Sequence, residues 1–207
     1  PGPHRKMPMP MPVRIKAILL AVAAMALVAV LVTSVTIYLL YQTALAQEKA
    51  RLLGTATSQA RLIEAVARSA RSETADSEAL VRQRTLRRVR LAHARYTGFG
   101  ETGEFTLATQ RDGRIVFLTE RRGTDTQRPG PVPVGAQRAE PMRRALTREQ
   151  PGTLIGLDYR GKRVLAAYQP IEALDWGIVD EVDLAEVRGP FVRAGVMAGL
   201  SALGFLI

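Results

Sequence analysis

Two histidines, nineteen carboxylates and no cysteine are what this 207-residue chain offers for chemistry. Side-chain catalysis needs a nucleophile beside a base, a cluster of metal ligands, or two carboxylates facing one cleft. His4 belongs to a basic N-terminal tail, which leaves His93, and no His, Asp or Glu stands around it at metal-ligand spacing. The lack of cysteine excludes disulfides, thiolate metal sites and a thiol nucleophile, and is compatible with an oxidising compartment. Asp180, Glu181 and Asp183 are close in sequence, but alternation along a strand sends Asp180 and Glu181 to opposite faces. No catalytic constellation, metal site or cofactor is expected, so the chemistry to look for is recognition.

The recognition candidates are Tyr168, Arg163, His93, Tyr159, Phe117 and Phe105. Tyr168 falls in the most apolar predicted strand, on one face with Val164 and Ala166; its hydroxyl needs a partner, either a ligand or the core. Arg163 stands near a strand start, where most arginines are solvated, yet an arginine aimed into a sheet pocket clamps a carboxylate well. His93 lies on an apolar helical face, where a hydrogen-bonded core histidine is the commoner arrangement. Tyr159, Phe105 and Phe117 read as core residues from which a pocket would borrow, and Trp176 as the seal of the sheet's end.

The elements that must position these residues follow from periodicity. Leu45, Leu52, Ala56, Gln59, Ile63, Val66 and Ala70 form a heptad-like seam on one predicted helix over 43–70. That seam suits either a second subunit or the domain's own sheet. "SETADSEAL" interrupts it, with Asp76 or Ser77 as N-cap of a second helix over 77–96 that carries Leu86, Val89, His93 and Tyr96 on one side. Segments 104–110 and 114–119 are β-type runs joined by Asp112-Gly113, a hairpin signal. "TDTQRPGPVPVG" is expected to be an irregular loop, and 139–149 a short helix with Pro141 in its first turn. Segments 152–159, 162–170 and 176–183 read as three more strands. Asp183 and Glu186 then have capping-box spacing for a last helix. Five antiparallel strands with helices on one side make an α+β domain.

Residues 17–41 contain no charge over a length sufficient to span a bilayer, and four basic residues with no acid precede them. This predicts a cytoplasmic tail over 1–16, a membrane helix over 17–41 and an exported helical region from Gln42 to about residue 100. The sheet then covers 101–186. "ALAQ" at 44–47 has the form of a signal-peptide cleavage site, but the apolar run exceeds the usual 7 to 15 residues. Residues 187–207 read as a second membrane helix, truncated: 191–207 would measure about 26 Å against roughly 30 Å of hydrocarbon. Pro190 suits its first turn, and Gly195 and Gly199 a close helix contact. The formal charge of +10 at first suggests nucleic acid, but five basic residues belong to the flanking segments. The middle carries 24 basic against 19 acidic residues, interspersed, with no basic face interleaved with aromatics. Nucleic acid is not expected; an anionic ligand is mildly favoured.

"GETGEFTLATQRDGRIVF" (100–117) and "GTLIGLDYRGKRVLAAYQPIEALDWGIVDEVDLAEV" (152–187) resemble the opening hairpin and the last three strands and exit helix of the Cache superfamily. These are the extracytoplasmic PAS-like sensor domains of bacterial transmembrane receptors. The second stretch is the more specific: a strand ending in Tyr-x-Pro-Ile, a turn, Trp-Gly, a strand ending in an acid, and a helix toward the membrane. The resemblance implies a membrane-anchored sensor, its domain on the far side of the bacterial inner membrane. It would bind a small molecule and pass a shift through the second span to a cytoplasmic histidine kinase, nucleotide cyclase or chemoreceptor output. On this reading the chain is the input part of a longer protein, and a homodimer through the membrane-proximal helix is expected. No ligand motif of the family carries over residue by residue; the aromatic and arginine signature of its amino-acid-binding members is not apparent. The alternative is an envelope assembly module that binds another protein and no small molecule.

Overall fold

A computed structural model describes residues 13–72, 77–93, 101–120 and 129–204. The basic tail, Asp76, Tyr96, the "TGFG" stretch, the first half of the proline-rich segment, the last three residues and the side chain of His93 lie outside the described residues. The chain divides into two compact units, Thr43–Gly189 and the residues up to Gln42 together with those from Pro190.

With no proline or glycine between Val13 and Gly54 to interrupt it, the chain forms one 60-residue helix, α1 (Val13–Ser72). Its first part is uncharged from 17 to 41, and among the described residues α1 is the one helix long and apolar enough to cross a membrane. Thr36 donates its hydroxyl to the Val32 carbonyl at 2.8 Å, which lets a polar side chain sit in this segment. The second apolar run is helical, in α4 (Leu184–Gly204), which starts directly after Asp183 where the capping-box spacing put the last helix, so Pro190 lies inside the helix and not in its first turn. Proline has no N–H to donate, and the Glu186 carbonyl therefore loses its helical partner. Among the described residues α4 does not reach the length and apolarity of a membrane span. Gly195 and Gly199 have open space where a Cβ would stand, so the close contact their spacing permits is not made within this chain.

The sheet has six antiparallel strands where five were expected. They are β1 (Glu104–Arg111), β2 (Arg114–Phe117), β3 (Val132–Pro133), β4 (Gly152–Leu157), β5 (Arg163–Ile171) and β6 (Trp176–Asp183), in the order β3-β2-β1-β6-β5-β4. The addition is β3, two residues of the proline-rich segment paired to β2 at the sheet edge, where Pro133 has no neighbour to disappoint. Asp112 and Gly113 both adopt positive φ, 48° and 68°, as a two-residue hairpin turn of this twist requires.

Both faces of the sheet are covered. On one lies the C-terminal half of α1, with Leu45, Leu52, Ala56, Ala60, Ile63, Ala67 and Ala70 buried. Ala60, Ile63 and Ala67 share a core with Phe105, Leu107, Leu118, Ile171, Leu174, Trp176 and Ile178. The seam is thus the predicted one, shifted at two positions from Gln59 to Ala60 and from Val66 to Ala67, and it is occupied by the domain's own sheet. Helix α2 (Glu78–His93) borders the same core through Leu86 and Val89, while Val81 and Thr85 are its buried residues. Arg90 on α2 donates to the Leu118 carbonyl, and Arg82 pairs with Asp175 at 2.7 Å. The opposite face carries α3 (Glu140–Leu146), shorter than the expected 139–149, with Pro141 in its first turn. Met142 and Ala145 of α3 share a core with Phe117, Tyr159, Val164, Ala166, Tyr168 and Val179.

Gly177 explains its own place after Trp176: a Cβ there would stand 2.8 Å from the Ala145 Cβ and 3.0 Å from the Met142 sulfur. Only a bare backbone lets α3 lie this close on β6. Gly177→Ala is expected to lower stability by about 1–3 kcal/mol through overpacking, read as a fall in thermal midpoint, while Gly130→Ala, in open space, has little effect.

Candidate functional site

Strand β6 is central, paired to β1 on one side and β5 on the other, and it passes without a loop from Asp183 into Leu184 of α4. Apolar residues occupy both of its faces, yet its last four positions include Asp180, Glu181 and Asp183. Each acid goes where alternation sends it.

Glu181 points to the α3 face and joins a group assembled from distant parts of the chain. Its register partner across β1 is Glu104, and Asp158 and Arg160 arrive from the turn between β4 and β5. Asp158 is buried because it builds that turn: its Oδ1 accepts the N–H groups of Arg160 and Lys162, each at 2.8 Å, and Gly161 supplies the positive φ. The turn thereby aims Arg160 inward. Its guanidinium pairs with Asp158 and lies 3.3 Å from Glu104 Oε2, 3.5 Å from Asp183 Oδ1 and 3.8 Å from Glu181 Oε1. Lys162 reaches Asp183 from the surface at 3.3 Å, and Tyr159 donates its hydroxyl to Glu104 at 2.8 Å. Four carboxyls thus surround one guanidinium and one rim ammonium. Arg160 Nη2, Glu181 Oε1 and Asp183 Oδ1 face each other without a hydrogen bond. Burial, followed by the Asp158 and Glu104 charges, pushes the Glu181 carboxyl well above its usual range, with Arg160 opposing.

Asp180 points the other way, toward α1. It is fully buried, and neither carboxyl oxygen has a hydrogen-bond partner. Burial raises its pKa to about 7, with the Arg51 charge on α1 pulling in the opposite direction. The start of α4 is held separately. Glu186 does not form the expected capping box with Asp183. Its carboxylate instead accepts the N–H groups of Glu101 and Thr102, at 3.2 and 2.8 Å, and the Thr102 hydroxyl. Thr102 Oγ1 in turn accepts the Asp183 N–H at 3.0 Å, so the box is relayed through a third residue. Burial works against the charge on Glu186, but these bonds hold its carboxyl below the usual range.

The residues singled out from sequence do not converge on one pocket. Tyr168, Tyr159 and Phe117 share the α3-side core, where the Phe117 and Tyr159 rings lie 5.1 Å apart. The Tyr168 hydroxyl sits over Gly152. Phe105 belongs to the α1-side core, because it opposes Asp180 and not Glu181 across the ladder. Arg163 is exposed at the first position of β5. The acid and arginine group was missed because its members come from β1, a turn and β6, and no local spacing announces it. One signal was available for Asp180 and Glu181: carboxylates inside "WGIVDEVDL", a run apolar on both faces, have nowhere to go but inward. A separate opening of about 120 Å³ lies at the far end of β6, lined by residues including Gln110, Arg148, Glu172, Asp175 and Trp176. Arg148 spans it to Asp175 at 2.6 Å. No protein-family model, curated protein or solved structure matches the chain.

Two outcomes are expected. Arg160→Ala strands several buried carboxylates and lowers stability at pH 7 by about 3 kcal/mol, measured by thermal denaturation. For Asp180, a pKa raised from about 3.9 to about 7 makes the folded state bind more protons between those values. Its contribution is most favourable below pH 4, falls through that window by on the order of 4 kcal/mol, and is flat above it. The thermal midpoint of Asp180→Asn relative to the parent protein should therefore be highest at pH 8 and decline steadily toward pH 5.

Proposed function

We propose that the chain is the input module of a bacterial transmembrane signalling protein of Cache or PAS-like type, anchored in the inner membrane with Thr43–Gly189 on the extracytoplasmic side. The observation that carries this reading is the direct passage of the central strand β6 into α4, with its final residues tied to three other parts of the domain. A change at the sheet is thereby delivered to the helix that leaves it. The α1 seam supports it as well, since the helix leaving the apolar segment is the one that covers the sheet. In this reading α4 continues into a second membrane span and toward an output domain of kinase, cyclase or chemoreceptor kind. The chain itself performs no catalysis. A homodimer through α1 has to use a face other than the 45–70 seam, which the sheet occupies.

A small ligand fits the opening at Arg148 and Asp175 better than the core around Tyr168, which Met142 and Ala145 fill. At about 120 Å³ that opening suits a molecule of a few heavy atoms. A carboxylate there would compete with Asp175 for Arg148. The filled core also favours the second reading, an envelope module that binds another protein; Leu62 on α1 and Leu91 on α2 remain exposed apolar residues for such a contact.

A thermal-shift series on the full chain in lipid nanodiscs, with acetate, lactate, succinate, citrate and the common amino acids, tests the choice. Ligand at a hundred times its Kd adds about 2.7 kcal/mol. The expected outcome is a saturable rise with a small carboxylate that is lost in Arg148→Ala. No rise with any of these compounds in a well-folded chain moves the assignment to protein recognition.

A further inference from the structure

Resting on the sensor reading, we propose that Asp180 is a proton-binding site between α1 and the sheet: the protonated carboxyl lets α1 lie on β6, and the ionised one loosens it. The ligand class is the proton itself.

The packing around Asp180 is anomalous. A buried polar group without a hydrogen bond is costly, and a buried charge without a partner costs far more. Asp180 has no solvent exposure and neither oxygen is bonded. A neutral carboxyl can tolerate this place; an ionised one needs water or a cation. The groups around it are easily named. From β1 and β5 its register partners are Phe105 and Ala167, neither of which titrates. From α1 the charged group that acts on it is Arg51, already engaged with Glu48 at 2.9 Å. Glu181 is its chain neighbour, but it faces the opposite side among Glu104, Asp158, Arg160 and Asp183. Ionisation can be accommodated in two ways, by drawing Arg51 inward or by admitting water, and both move α1 relative to β6.

Position gives this site a consequence that a buried acid elsewhere would lack. The interface it disturbs joins the helix that enters the domain to the strand that runs on into α4. Its small residues, Ala56 and Ala60, place the helix close to the sheet, so that an entering water cannot be absorbed without displacement. Burial places the Asp180 titration near neutrality, at about 7.

Trp176 is the only tryptophan and is buried in the α1-side core, which makes its emission a reporter of this interface. The experiment records Trp176 fluorescence, and hydrogen exchange of the α1 amides from 45 to 70, for the full chain in nanodiscs from pH 5 to 9. The expected result is a reversible transition centred near pH 7, with faster α1 exchange on the alkaline side. It should be absent in Asp180→Asn and Asp180→Val, two variants that remove the charge in different ways, and retained in Glu181→Gln. A flat profile in a folded parent chain overturns the proposal, as does a transition of unchanged midpoint in whichever Asp180 variant folds. Loss of the transition in Glu181→Gln but not at position 180 assigns the proton to the other face and overturns it too. A flat profile together with a saturable thermal shift by a carboxylate leaves the sensor reading standing without the proton; a pH transition with no such shift leaves the proton as the only input.

Discussion

The constraint on which this fold depends is that β6 is buried on both faces and still has to carry three carboxyls toward α4. A central antiparallel strand covered on both sides is ordinarily built from apolar residues, and Trp176, Ile178, Val179 and Val182 follow that rule. The acids break it within four positions of the strand's end. Each face then answers differently. The α3 face supplies Arg160, Lys162 and Tyr159 and makes an ionic group; the α1 face supplies apolar residues and leaves Asp180 without a bond.

The rest of the molecule is arranged around those two answers. The turn between β4 and β5 is longer than a hairpin needs because it must fold back far enough for Asp158 to organise it and for Arg160 to reach β1 and β6 together. At the other end of β6 the problem is steric. Gly177 and Ala145 let α3 settle on the strand, and Asp175, in a left-handed conformation, holds Arg82 and Arg148 from α2 and the segment after α3. The ion pairs at Asp175 are exposed and contribute little to stability, whereas the carboxyls around Arg160 are mostly enclosed and depend on it.

Legibility in the sequence followed the range of the interactions. The hairpin at Asp112-Gly113 was readable because two adjacent residues decide it, and the helix over 43–70 because its period repeats. The seam was misplaced at Gln59 and Val66 since an ideal helix drifts against a strict heptad, and the burial actually runs through Ala60 and Ala67. The strand β3 was missed because two residues beside prolines carry no period; only pairing with β2 makes them a strand. The division of Asp180 and Glu181 between faces was readable from alternation alone. What each face would offer was not, because Arg160 and Glu104 stand tens of residues away, and Arg51 more than a hundred. Tyr168 and Arg163 are both expected to line a ligand pocket, but their odd spacing along the strand puts them on different faces, and α3 closes the space over the tyrosine.

Whether one buried proton is enough to matter can be judged by magnitude. A two-state element responds to a ligand only by the ratio of its affinities for the two states. For Asp180 the docked arrangement holds its proton with a pKa of about 7, and a fully solvated carboxyl with about 3.9, which sets the ratio at no more than about a thousand. Such a ratio can shift the equilibrium between docked and loosened α1 by at most about a thousandfold. Exposed carboxylates, whose values scarcely change between arrangements, have almost no such leverage. The unsatisfied burial of Asp180, which weakens the domain above neutrality, is therefore the same property that would let a change of one or two pH units move α1.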